Sequence, residues 1–297
     1  IVVGAIAWVQ LLNPSVGYLN NIFKFIFGLE TAPFDIYTFW GLAWVLTLFY
    51  SPFAFITISR AMEKMDPTLE EAARVSGASP LRTVLDVTLP LMAPSILAGG
   101  LLVFIAAGSC FGIPSIVGMP GNIEVMTTRI VTYIYMGDDA GVRDSTALAA
   151  SLMFIANFLL MGMTWMMGRK DYTTISGKST RPNIVELGKW KWPAFFAVGL
   201  YGSIAVIIPL GSIVLTSFLK SMSKPIEWSN IGIEPWIPVI TSAQYMESVW
   251  NSVVYGVIAA TIGTLVSLFV AYLAVKTKIK GRSIPDLLVV IGGSTPS

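Results

Sequence analysis

Glu71-Ala72-Ala73-Arg74-Val75-Ser76-Gly77-Ala78-Ser79-Pro80-Leu81-Arg82-Thr83-Val84-Leu85-Asp86-Val87-Thr88-Leu89-Pro90 is a polar interval between two uncharged runs of membrane length. Just upstream, Asp66 can cap a helix that has Pro67 at its first position, and Thr68-x-x-Glu71 offers an alternative capping box. Gly77 is placed to end that helix in a left-handed conformation, which glycine adopts without steric cost. Ser79-Pro80 then starts a second helix, expected to run to about Val87 and to stop before Pro90. The interval therefore reads as two short helices set at an angle, a rigid knob rather than a flexible connector.

The surroundings are those of a membrane protein. A mean hydropathy of +0.72, with 55% hydrophobic and only 12% charged residues, lies outside the range of a soluble domain. At about 1.5 Å per residue a helix needs about 20 apolar residues to cross a bilayer. Five stretches meet that length: Thr38–Ser59, Leu91–Phe111, Ser145–Met167, Pro193–Phe218 and Trp250–Val275. The shorter apolar runs Ile1–Leu12 and Leu287–Ser297 read as helices cut short, so the expectation is an excerpt of a longer polypeptide. Ser51-Pro52 predicts a kink in the first long span, and Gly99-Gly100 and Gly108-x-x-x-Gly112 suit close helix contact in the next. An interfacial helix is expected from about Val125 to Tyr135, and Trp228, Trp236 and Trp250 suit a membrane boundary.

Charge gives the orientation. Of 19 Lys and Arg residues, all but Lys24, Arg129, Arg143, Lys220 and Lys224 fall in the 59–90, 168–192 and 276–286 loops. By the positive-inside rule those loops are cytoplasmic.

The quoted interval resembles the EAA motif of bacterial ABC importer permeases. The match lies on Glu71-Ala72-Ala73, on Gly77 six positions after the Glu, and on Val87, Leu89 and Pro90, with Val87 where the family usually has Ile. Trp8-x-x-Leu11-Leu12-Asn13-Pro14-x-x-Gly17-x-x-Asn20 is similar to the ferric-iron permeases, in which two six-helix halves are fused. So is the run from Asp171 to Lys178 into Leu187-Gly188-Lys189-Trp190.

The resemblance implies an all-α polytopic membrane bundle in a bacterial inner membrane. Residues 1–167 would be helices three to six of a first half, 168–192 a cytoplasmic linker, and 193–297 the start of a second half. It implies a dimer of ABC ATPase subunits and an external substrate-binding protein as partners. Glu70, Glu71, Ala72, Ala73, Gly77, Ala78, Val87, Leu89 and Pro90 would form the ATPase-docking loop. ATP would be used by the partner, with no cofactor bound by this chain. Ferric iron is the expected cargo, with polyamine, thiamine or phosphonate as alternatives inside the class. A secondary transporter or channel is the alternative outside it.

Several chemistries are excluded or weak. The chain has no His and a single Cys, Cys110, which rules out His-based catalysis, His-ligated metal and an intrachain disulfide. Net charge +2 gives no case for nucleic acid. Ser176-Gly177-Lys178-Ser179-Thr180 resembles the end of a phosphate-binding loop, yet Tyr172 stands where that loop needs Gly, so it reads as linker. Met161, Met163, Met166 and Met167 read as packing filler rather than a Cu(I) site, and Asp138, Asp139 and Asp144 as solvated. The spans hold no charged residue, which argues against a proton relay; Ser109, Cys110, Asn157, Ser203, Ser212 and Ser267 read as helix-to-helix hydrogen-bonding groups.

Overall fold

The computed structural model describes residues 2–168, 188–221 and 227–276. Most of the expected 168–192 linker, with its Ser176–Thr180 motif, lies outside the described residues, as do everything beyond 276 and the side chains of Met163, Met166 and Met167. Helix α1 (Val2–Leu12) and the short α2 (Tyr18–Phe27) precede α3 (Phe39–Glu63). The polar interval is carried by α4 (Pro67–Val75) and α5 (Pro80–Gly108). Then come α6 (Met126–Met136), α7 (Asp139–Gly168), α8 (Gly188–Ser217), the short α9 (Trp236–Thr241) and α10 (Ala243–Lys276).

Helices α3, α5, α7, α8 and α10 are long and apolar enough to cross a membrane, in agreement with the five expected spans. Little of their apolar surface is buried within the chain, and none of the most apolar stretch of α10 is. Such exposure is unfavourable in water at about 25 cal/mol per Å². Lipid tails are as apolar as leucine, so the same surface is at ease in a bilayer.

The buried core gathers at the end of the bundle away from α4. Ala5, Trp8 and Leu11 of α1 cluster there with Leu42, Val45 and Leu48 of α3 and with Ile113 and Val117 beyond α5. Trp8 meets Trp44 edge to face at 5.8 Å. The turn-rich segment after α1 is held by Asn20, whose side chain is fully buried. Its amide donates to the carbonyls of Leu12 (3.2 Å), Asn13 (3.0 Å) and Phe34 (2.8 Å), and its oxygen accepts the Phe34 N–H at 3.1 Å. One side chain thus bonds four backbone groups at once and ties the end of α1 to Phe34.

Helix α8 is joined to α1 and α2 by polar contacts. Thr216 donates its hydroxyl to Gln10 Oε1 at 3.1 Å and lies 2.8 Å from the Tyr18 hydroxyl. Ser51 of α3 and Tyr201 of α8 share a hydroxyl–hydroxyl hydrogen bond. Of the polar groups expected to bond across helices, Cys110 meets the Tyr50 hydroxyl of α3, whereas the Ser109 hydroxyl donates to the Ile105 carbonyl of its own helix; the Asn157 amide donates to the Met153 carbonyl at 2.8 Å. Ser212 bonds Pro209 at 2.7 Å and reaches the Ala7 carbonyl only at 3.5 Å.

Proline shapes these helices without ending them. Pro52 stays inside α3, and the Leu48 carbonyl it leaves free accepts the Ser51 hydroxyl at 3.4 Å. At three other places the helix widens by one residue immediately before an X-Pro step. Leu89 N–H bonds the Val84 carbonyl ahead of Pro90, Met119 N–H bonds Pro114 ahead of Pro120, and Ile208 N–H bonds Ser203 ahead of Pro209. A proline ring collides with the carbonyl four residues back in an ideal helix; a five-residue turn carries that carbonyl out of its way. The expectation that the second short helix would stop before Pro90 is therefore corrected: it runs on as the membrane helix α5.

Candidate functional site: the α4–α5 knob

Each feature of the knob follows from local sequence. Asp66 caps α4, its Oδ1 accepting the Thr68 N–H at 3.0 Å and the Thr68 hydroxyl at 2.8 Å. These bonds, the backbone one first, hold the Asp66 carboxyl below its ordinary pKa. The cap is therefore Asp66 with Pro67 behind it, and the alternative Thr68–Glu71 box is not used.

The other end of α4 is a Schellman motif. Gly77 N–H bonds the Arg74 carbonyl at 2.9 Å and Ala78 N–H bonds the Ala73 carbonyl at 3.0 Å, with Gly77 at φ +86°. The conformation required at Gly77 is left-handed, as its identity foretold. Ser79 then opens α5, its hydroxyl accepting the Arg82 N–H at 3.4 Å with Pro80 at the first position.

The two expected glutamates separate in the structure. Glu71 is exposed and has no hydrogen-bond or ion-pair partner among the described residues. Glu70 turns inward: its Oε1 accepts the hydroxyl of buried Thr88 at 2.6 Å, and its other oxygen lies 3.8 Å from the Arg74 guanidinium. Ala72, Gly77, Leu89 and Pro90 are exposed, while Ala73, Ala78 and Val87 are half-buried. Between the helices runs an open groove of about 480 Å³, walled by Leu69, Ala72 and Ala73 on one side and Val87, Pro90 and Leu91 on the other. Leu69, Val75 and Leu81 stand out from the knob, Val75 at 89% exposure.

Thr88, which ties the two helices, stands outside the motif residues quoted for the resemblance. Its only sequence signal is a hydroxyl five residues after Thr83, a spacing that does not share a face in an ideal helix.

Away from the knob, Arg129 pairs with Glu124 at 2.8 Å and lies 4.8 Å over the Tyr133 ring. These contacts, first that with Tyr133 and then that with Glu124, raise its already high pKa. Of the acidic trio, Asp138 is not merely solvated: its Oδ1 accepts the Gly141 N–H at 2.7 Å and caps the start of α7. Among the described residues no group of three or more His, Cys, Asp or Glu side chains is placed to hold a metal.

Five long apolar helices whose surface the chain leaves largely unburied, two of them joined through a capped polar knob, define a polytopic helical membrane protein. The family described as binding-protein-dependent transport system inner membrane component matches residues 5–170, more than half of the chain, and the protein belongs to that family. Its relatives include the ferric transport system permease protein FbpB of Actinobacillus pleuropneumoniae, 25% identical over 97% of this chain and 41% of the relative. The putative ferric transport system permease protein FbpB 1 of Haemophilus influenzae is 25% identical over 97% of this chain and 45% of its own length. The spermidine/putrescine transport system permease protein PotB of Escherichia coli is 30% identical over 41% of this chain and 44% of its own. The chain thus spans less than half the length of these relatives. No solved structure matches it.

Proposed function

We propose that the chain forms part of the membrane pathway of an ATP-driven ferric-iron importer, and that the knob is where the ATPase docks. The observation that carries this reading is the geometry of α4. It is fixed at both ends by cap motifs and presents exposed Glu71 and Ala72 beside an apolar-walled groove. A short helix with small side chains can enter a partner's cleft deeply, and one whose ends are locked can transmit force rather than fold under it. The Lys and Arg bias supports a cytoplasmic knob, on the side where ATP is. The substrate-binding protein then meets the opposite end, which carries the Glu124–Arg129 pair.

Iron is supported by the relatives. Those matching along 97% of the chain are named for ferric transport, whereas the spermidine/putrescine relative matches 41% of it.

The test is uptake by the complete transporter, with its ATPase and binding protein, in lipid vesicles. Wild-type protein should accumulate ferric iron when ATP is supplied and continue to do so with a protonophore present. Glu71→Lys, which reverses the charge presented by the knob, should abolish uptake. Loss of uptake with the protonophore while Glu71→Lys transports normally would contradict the reading. Uptake of spermidine in place of iron would keep the machine and replace its cargo.

A further inference from the structure

Thr88 lies five positions after Thr83, yet both are buried, at 1% and 7% exposure, Thr83 lining the cleft beside Ala73 and Gly77 and Thr88 bonded to Glu70. Five residues make about 1.4 turns of an ideal α-helix, which would carry the second threonine well round from the first. The widened turn Val84–Thr88, closed by the Leu89 N–H to Val84 bond, spends all five residues on one turn and returns Thr88 to the face of Thr83. Pro90 suits that turn, because it has no N–H for the Asp86 carbonyl and its ring would strike that carbonyl in an ideal helix.

The bond that results is short and shielded. Thr88 donates at 2.6 Å to a Glu70 whose side chain is only 12% exposed, and Arg74 stands on the far side of the same carboxylate.

From this arrangement we propose that Thr88 is a positioning residue. Through Glu70 it latches α4 to α5, and Pro90 holds the latch in register by keeping the helix wide. Motion of the knob is then passed to the membrane helix as rotation of one body instead of being lost at the turn between α4 and α5. Glu70 acts inside the latch and leaves Glu71 to face the partner. The proposal deepens the docking reading and rests on it for its consequence in transport, but the latch itself is a property of this chain.

The experiment separates the two. Spin labels at Val75 and Leu102, both exposed, report the angle between α4 and the membrane part of α5 in the complete transporter without nucleotide, in a Cys110→Ala background. Wild type should give one narrow distance distribution. Thr88→Val keeps the shape and removes the donor, and it should broaden the distribution or add a displaced second peak. Thr88→Ser should restore the narrow form. Pro90→Ala gives the Asp86 carbonyl a partner and allows the turn to tighten, so it should act like Thr88→Val. An unchanged distribution in Thr88→Val overturns the latch.

In the same samples Thr88→Val should still bind the ATPase but hydrolyse more ATP for each iron transported, with Thr88→Ser again restoring the ratio. A loosened knob with an unchanged ratio would leave the latch standing and count against docking through α4.

Discussion

Gly77 shows how much of the knob depends on one backbone conformation. A Cβ added there would meet no atom within 4 Å, so packing does not explain the glycine; φ of +86° does. A left-handed conformation costs an ordinary L-residue about 1–2 kcal/mol, and a β-branched one strains most. Gly77→Val should weaken the bond from Ala78 N–H to the Ala73 carbonyl and speed hydrogen exchange at Ala78 by roughly tenfold. Gly77→Asn should leave it close to wild type, since asparagine tolerates that region. Equal exchange in the two variants would show that the Schellman geometry is not what holds the end of α4. Glycine before a Ser-Pro pair was a legible signal because its cause is local. Asn20 was legible only as a letter in a pattern, since its four hydrogen bonds join segments 7 to 14 residues away in the chain.

Among the elements, the packing of α3 against α5 turns on Gly99. Its Cβ position lies 3.2 Å from Ala54 Cα and 3.4 Å from the Ala54 carbonyl oxygen, both backbone atoms that cannot swing aside, whereas the neighbouring Gly100 faces open space. Gly99→Leu should therefore force the helices apart and cost about 1–3 kcal/mol. Gly100→Leu should cost little, because it adds apolar surface toward lipid. The unfolding midpoint of the purified full-length transporter should fall for the first and hold for the second, and equal falls would place the crossing elsewhere. The sequence pair Gly99-Gly100 suggested close contact without distinguishing its members, for which the rotation of α5 is needed. That rotation is reset by the widened turn before Pro90, and proline read by itself predicts a stop. The continuation through it depends on Leu89 finding the Val84 carbonyl and on Thr88 finding Glu70 across a tertiary contact.

At the scale of the whole molecule, span number and length were legible because a bilayer imposes them on composition, and α3, α5, α7, α8 and α10 follow. The attachment of α8 to α1 and α2 was not. It rests on Thr216, Gln10 and Tyr18, hydroxyl and amide groups about 200 residues apart whose pairing leaves no periodic trace. The cap positions of the knob were also readable, with Asp66 and Thr68 both open at its start, while the continuation past Pro90 was not and the inward turn of Glu70 was hidden by its likeness to Glu71. The account as a whole claims that the knob is the end of the protein that meets the ATPase. The measurement that tests this most directly is photocrosslinking in intact cells carrying the complete transporter, with benzoylphenylalanine placed at Leu81 on the knob or at Tyr135 at the end of α6, both strongly exposed. The account predicts that the probe at Leu81 captures the ATPase subunit and the probe at Tyr135 does not. Capture of the ATPase from Tyr135 alone would contradict it and turn the molecule over in the membrane.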